Sequence, residues 1–151
     1  MKRLAFFAAF LVGAAVSSGA CAASLDQPLH CDRSAHAFIG ELEQKGLIDP
    51  HPSRVEDNSI NAFDPARDAD LSAFGYHVFA IVGTQKDDPM FKKGKGKPLA
   101  DSAYGAVVLG STDSVRAAVR AAGSGAIVHH VAPFVTAIFC QPDQPAPEGR
   151  P

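Results

Sequence analysis

The sequence predicts an α+β domain: a mixed sheet of four or five strands carrying two helices and closed by one disulfide. Three observations lead there. Two segments repeat their apolar residues at helical spacing, five others read as strands, and two cysteines flank the whole set.

The chain opens as an export signal. Lys2 and Arg3 form a positive start, and Leu4 to Val16 is an uncharged run of 13 residues. As a helix that run rises only about 20 Å, too short to span a bilayer. Ala20-Cys21-Ala22 fits the small-x-small cleavage pattern, so residues 1–23 are expected to leave after Ala22 or Ala23. Ser18-Gly19-Ala20 are small, as lipid attachment at Cys21 requires. The larger aliphatic residue that this pattern prefers is missing, so a lipid anchor is not expected.

Losing Lys2 and Arg3 turns 14 basic residues into 12 against 16 acidic ones, a formal charge of −4. Such a balance argues against general nucleic-acid binding, which needs clustered excess Lys and Arg. No second apolar stretch reaches membrane-spanning length. The expected location is therefore the periplasm or the exterior. With Cys21 gone, Cys31 and Cys140 remain, and an even count in an oxidising compartment suggests one structural disulfide.

About 128 mature residues suit a single domain, taken as 24–141, with a proline-rich, disordered tail over 142–151. In "DRSAHAFIGELEQKG", Ala35, Phe38, Ile39 and Leu42 share a helical face, Asp32 or Ser34 caps the start, and Gly46 suits a left-handed stop. Pro50 and Pro52 make the next segment turn-rich. "SINAF" (59–63) reads as a short strand. "FGYHVFAIVG" (74–83) reads as an interior strand covered on two sides, with Tyr76, Val78, Ala80 and Val82 on one face and His77, Phe79 and Ile81 on the other. "YGAVVLG" (104–110) is a further strand. A helix then starts at Ser111 or Thr112, with Val115, Ala118, Val119 and Ala122 as its stripe and Gly123 and Gly125 at its end. "AIVHHV" and "FVTAIFC" read as strands, with Pro133 marking a bulge, an edge or a break between them, and 104–131 fits a parallel strand–helix–strand crossover.

The chemistry-bearing candidates are few. "FKKGKGKPLAD" (91–101) concentrates lysines and glycines. Gly94 and Gly96 lie two apart, Lys97 precedes Pro98, and a strand follows, so a phosphate loop feeding a helix is not indicated. Two readings of it stay open: a solvated connection, or a docking loop whose lysines steer an acidic partner. His129 and His130 are neighbours on one strand and face opposite ways, so they cannot share an ion, and no zinc-type spacing includes His77. No G-x-S-x-G elbow occurs, and the disulfide leaves no thiol for a Cys–His pair. The carboxylates cluster in the turn-like stretches "VED", "DPARDAD" and "QKDDP", as solvated charge does, and D-x-x-x-D-x-D at Asp64, Asp68 and Asp70 lacks the rest of an EF-hand. Tryptophan is absent and the aromatics fall mostly in core-like runs, which disfavours a sugar-binding platform.

The functional expectation is an exported, non-enzymatic protein-binding protein without cofactor, most plausibly an inhibitor or immunity factor against an envelope-acting toxin or hydrolase. The expected contact residues are Lys92, Lys93, Lys95 and Lys97, joined by Phe91, Tyr104 and His77, and the expected partner is a protein with an acidic surface. The alternative is a small envelope enzyme or metal-dependent protein using His77, His129 or His130 with a carboxylate.

Overall fold

The computed structural model describes residues 21–142. The expected leader lies mostly outside them, as does the expected tail beyond Pro142. Strands run at Cys21–Ser24 (β1), Arg54–Val55 (β2), Asn61–Phe63 (β3), Ala69–Ala73 (β4), Tyr76–Gln85 (β5), Ser102–Leu109 (β6), Ile127–Ala132 (β7) and Val135–Cys140 (β8). Helices occupy Ala35–Gln44 (α1) and Thr112–Ala121 (α2), and a 3-10 turn spans Pro28–His30.

The α+β class and the two helices agree with expectation, but the sheet has eight strands instead of four or five. Its order is β1-β4-β5-β6-β8-β7, and β3 adds to β5 beyond β4, carrying β2 on its far side. β4 begins inside "DPARDAD" (64–70), whose carboxylates read as turn charge. Its outward Asp70 alternates with inward Leu71, a half-buried strand pattern too short to stand out. β1 pairs in parallel with β4 from Cys21↔Ala69 to Ser24↔Ser72. Three of its four residues belong to the segment expected to leave with the signal. The following residues are anchored independently: Leu25 is buried, its N–H donates to the Ser72 carbonyl at 2.8 Å, and Asp26 accepts from the Phe74 N–H at 2.6 Å.

The helices obey their sequence signals. Ser34 and Ser111 cap α1 and α2 through their side-chain oxygens, and Gly46 and Gly123 follow them at positive φ. Ala35, Phe38, Ile39 and Leu42 are buried as expected, whereas α2 buries only Val115 and Val119. β6 and β7 both pair antiparallel with β8, which lies between them, so they run parallel to each other. The β6–α2–β7 crossover therefore skips one strand. Pro133 and Phe134 form the turn of the β7–β8 hairpin, with Phe134 at φ 58°.

Both helices cover one face, where Val78, Ile81, Tyr104, Ala106, Val108 and Ile138 meet Phe38, Ile39 and Val115. The expected regular alternation along β5 breaks at a bulge: Val78 pairs with Val108 and Ala80 with Val107, leaving Phe79 without an opposite residue. Val78 and Ile81 thus both reach the core although they are three apart. Among the described residues the second face carries no helix. It includes small residues such as Ala80, Gly105 and Ala137, and Phe79 and Leu109 are exposed on it, so the described helices cover β5 on one side only.

The disulfide joins Cys31 to Cys140 across 109 residues, with the Cα atoms 4.9 Å apart. It links the segment before α1 to the last strand. In the chain-entropy model a loop of that length contributes about 4–5 kcal/mol. Urea unfolding of the Cys31→Ser/Cys140→Ser protein should show a loss of that order, and a loss below about 1 kcal/mol would show that packing alone sets the stability.

Candidate functional site

β5 and β6 are joined by residues 86–101, a connection of 16 residues. Loops of this length without regular structure are uncommon in compact domains and are usually functional. Its neck is closed by the Lys86 N–H donating to the Asp101 carbonyl at 2.8 Å. Around Asp88 the chain turns: its carboxylate accepts the Met90 N–H at 2.9 Å, and the Phe91 N–H bonds its carbonyl at 3.1 Å. Phe91 then enters the core, 8% exposed, edge-on to Phe63 at 6.4 Å.

The lysine run does not wave in solvent. The fully buried Asn61 side chain donates to the Lys92 carbonyl at 2.8 Å and accepts the Lys92 N–H at 2.9 Å, as a neighbouring strand would. Gly94 N–H donates to Ser59 Oγ at 2.9 Å, Gly96 N–H to the Asp57 carbonyl at 2.8 Å, and Leu99 N–H to the Asn58 carbonyl at 3.0 Å. The backbone of the stretch is stitched to the turn 56–61, while its lysine side chains stay in solvent. This also explains the glycines. A Cβ on Gly94 would collide with the Glu56 carbonyl oxygen and stand 2.5 Å from that of Asp57, both backbone atoms that cannot swing away. The K-G-K-G-K pattern therefore serves close backbone packing, and the lysines between project outward, all four exposed.

The two arms of the loop enclose a cleft of about 910 Å³, at the upper end of the usual range for ligand sites. Phe91, Pro89, Pro98 and Leu99 give it apolar walls, and Lys86, Lys92, Lys93 and Lys97 bring four positive charges. Asp87, Asp88 and Asp101 also line it, but Asp88 is engaged, with His36 Nδ1 at 2.6 Å and Gln85 Nε2 at 3.4 Å. Among the described residues no ion pair includes Lys86 or any loop lysine. Four lysines against the likewise unpaired Asp87 and Asp101 leave the lining a positive bias. The nearby N-terminus of α1 adds no anion site. Its first free N–H groups are taken by Ser102 Oγ (Ala35), Gln85 Oε1 (His36) and Ser34 Oγ (Ala37).

Of the residues expected to contact a partner, Lys92, Lys93, Lys97 and Phe91 line the cleft, and Lys95 sits on the same loop outside the lining. Tyr104 does not belong with them. It is fully buried, stacked on Phe38 at 4.6 Å between ring centroids, and its hydroxyl donates to the Pro28 carbonyl at 2.9 Å. A strand residue next to a loop looks exposed in one dimension, but α1 covers this one. His77 is exposed but lies eight residues back along β5, about 26 Å from the neck, 3.6 Å from Asp70. His129 and His130 lie on the far edge strand, three strand spacings or about 14 Å from the strand of His77. His130 Nδ1 is 3.1 Å from Thr112 Oγ1, and His129 meets the Phe139 ring edge-on at 6.1 Å. The three histidines do not converge, and among the described residues no group of three His, Cys, Asp or Glu could hold a metal. Likewise no described helix is long and apolar enough to cross a membrane.

The residues that sequence reasoning missed are the frame: Ser59, Asn61, Gln85 and Asp88, with Leu99 on the wall. Their stretches, "EDNSIN" (56–61) and "QKDDP" (85–89), read as turns and a short strand, which does not say what those turns hold. Comparison with protein-family models, with curated proteins and with solved structures found no match in any of the three.

Two measurements probe this geometry. Gly94→Ala should cost about 2 kcal/mol or more in urea unfolding, because backbone must move to admit the methyl. Gly125→Ala, with open space around it, should change stability by less than about 0.5 kcal/mol. Equal effects would refute the close packing at Gly94. Burial pushes the Tyr104 hydroxyl up to about 12 from its ordinary 10.0. The protonated form is therefore favoured by folding: the contribution is whole below pH 10 and is lost as pH rises toward 12. Unfolding free energy should fall across that window, and Tyr104→Phe should flatten this part of the fall.

Proposed function

We propose that this is an exported, non-enzymatic binding protein that docks on an acidic protein surface and blocks it, as an inhibitor or immunity factor does against an envelope-acting toxin or hydrolase. The observation that carries the reading is the set of unpaired lysines held on a pinned loop around an apolar-walled cleft. Lysines on a wandering chain would steer encounters but lose affinity to ordering. Here the loop backbone is already ordered, so less entropy is lost on docking. Lys92, Lys93 and Lys97 supply the charge at the cleft, Lys95 extends it outward, and Phe91 stiffens the floor.

The location in this reading is the periplasm or the exterior after leader removal. The disulfide between Cys31 and Cys140 fits an oxidising compartment. Occlusion of an acidic enzyme surface needs a pre-ordered, complementary patch, and the pinned backbone of 86–101 with its exposed lysines supports that reading.

The test is capture from an envelope extract, at low and moderate salt, with the native protein and the Lys93→Glu/Lys95→Glu variant as baits. The native bait should retain a specific acidic partner, with retention falling as salt rises. The variant should retain about tenfold less, equivalent to about 1.4 kcal/mol. Equal retention by both baits would remove the loop from the mechanism.

A further inference from the structure

The cleft and the last described residues lie at the same end of the sheet. β8 runs antiparallel to β6, one strand spacing away, with Cys140 opposite Tyr104. Tyr104 stands only three residues after Asp101, where the loop closes. β8 is therefore heading toward the cleft as it ends, and Gln141 and Pro142 continue from Cys140. Nine further residues, 143–151, follow beyond the described part. Extended, nine residues reach about 30 Å, whereas the neck lies about 11 Å from Cys140 by strand geometry.

The composition of that segment matches the cleft. "DQPAPEGRP" carries Asp143 and Glu148 against Arg150, a negative bias, while the cleft has four lysines against three aspartates. Five residue steps separate the two carboxylates, a reach of up to about 17 Å, enough to meet lysines on both arms of the loop. Between them lies Pro145-Ala146-Pro147. Proline-rich chain docks on apolar and aromatic walls with little further loss of entropy, and Phe91, Pro98 and the 46%-exposed Leu99 form such a wall.

We propose that the chain's own C-terminal segment, residues 143–151, is the resting occupant of the lysine cleft and that an acidic partner must displace it. This rests on reading the cleft as a docking site. Tethering places the segment at an effective concentration in the millimolar range. A segment that binds at about 0.1 mM then fills the cleft about nine-tenths of the time and weakens an acidic competitor about tenfold.

The experiment compares the full chain with a chain ending at Pro142 and with the full-length Asp143→Lys/Glu148→Lys variant. Backbone amide NMR reads the occupant, and titration with polyglutamate reads the cleft. Deletion and charge reversal should each shift the amides of Lys92, Gly94, Gly96 and Leu99, independently of protein concentration, and tighten polyglutamate binding about tenfold. A synthetic peptide of residues 141–151 added to the shortened chain should restore the original shifts and saturate. Shifts confined to residues near Pro142, with polyglutamate still bound by the shortened chain, would overturn the tail contact and leave the docking site standing. Loop shifts that grow with protein concentration would also overturn it, assigning the cleft to the tail of a second copy. Loop shifts on deletion with no polyglutamate binding by any chain would support the tail contact and overturn the docking site.

Discussion

The bridge from Cys31 to Cys140 fixes where α1 begins, and the cleft end of the sheet is built outward from that point. The segment before the helix is locked from three sides. Cys140 holds Cys31, the Tyr104 hydroxyl holds the Pro28 carbonyl, and Ser124 Oγ holds the Leu29 carbonyl at 2.5 Å. With its first residues so placed, α1 presents its N–H groups to Gln85 and Ser102, the last residue of β5 and the first of β6. His36 then reaches Asp88 on the far side of the neck. The covalent link orders a helix end, the helix end clamps a neck, and the neck spaces the arms of the cleft.

The other side of the cleft depends on hydrogen-bond accounting. A 16-residue excursion has many backbone donors and acceptors to satisfy, and burying them unpaired costs about 1–3 kcal/mol each. The turn 56–61 meets that demand by acting as an irregular partner strand, with Asn61 as its most buried member. Such an arrangement needs backbone against backbone, which forces glycine at 94. The lysines occupy positions where side chains can leave the contact. A pattern that resembles an anion cradle in one dimension thus becomes, in three, a frame that holds cations outward.

Much of the rest of the fold was readable. The caps at Ser34 and Ser111, the glycine stops, the stripe on α1, the four strands β5 to β8 and an interruption at Pro133 all follow from residues close in sequence. The misreadings have a common origin. β4 was lost because its partners, β1 and β5, turn a polar stretch into a strand. The alternation along β5 fails at Phe79 because β6 leaves that residue unpaired. Tyr104 looked available because nothing local announces that Phe38 lies on it.

The sequence by itself determined the class of the domain, the identity of most elements, and, with Cys21 set aside as part of the expected leader, the pairing of the other two cysteines. These depend on periodicity, capping and composition, which act within a few residues. Only the tertiary structure decided that Lys86, Lys92, Lys93 and Lys97 share one cleft, that Asn61 and Ser59 hold the loop backbone at Lys92 and Gly94, and that the histidines lie apart. Those are relations across tens of residues, set by strand register and helix placement, and no local preference encodes them.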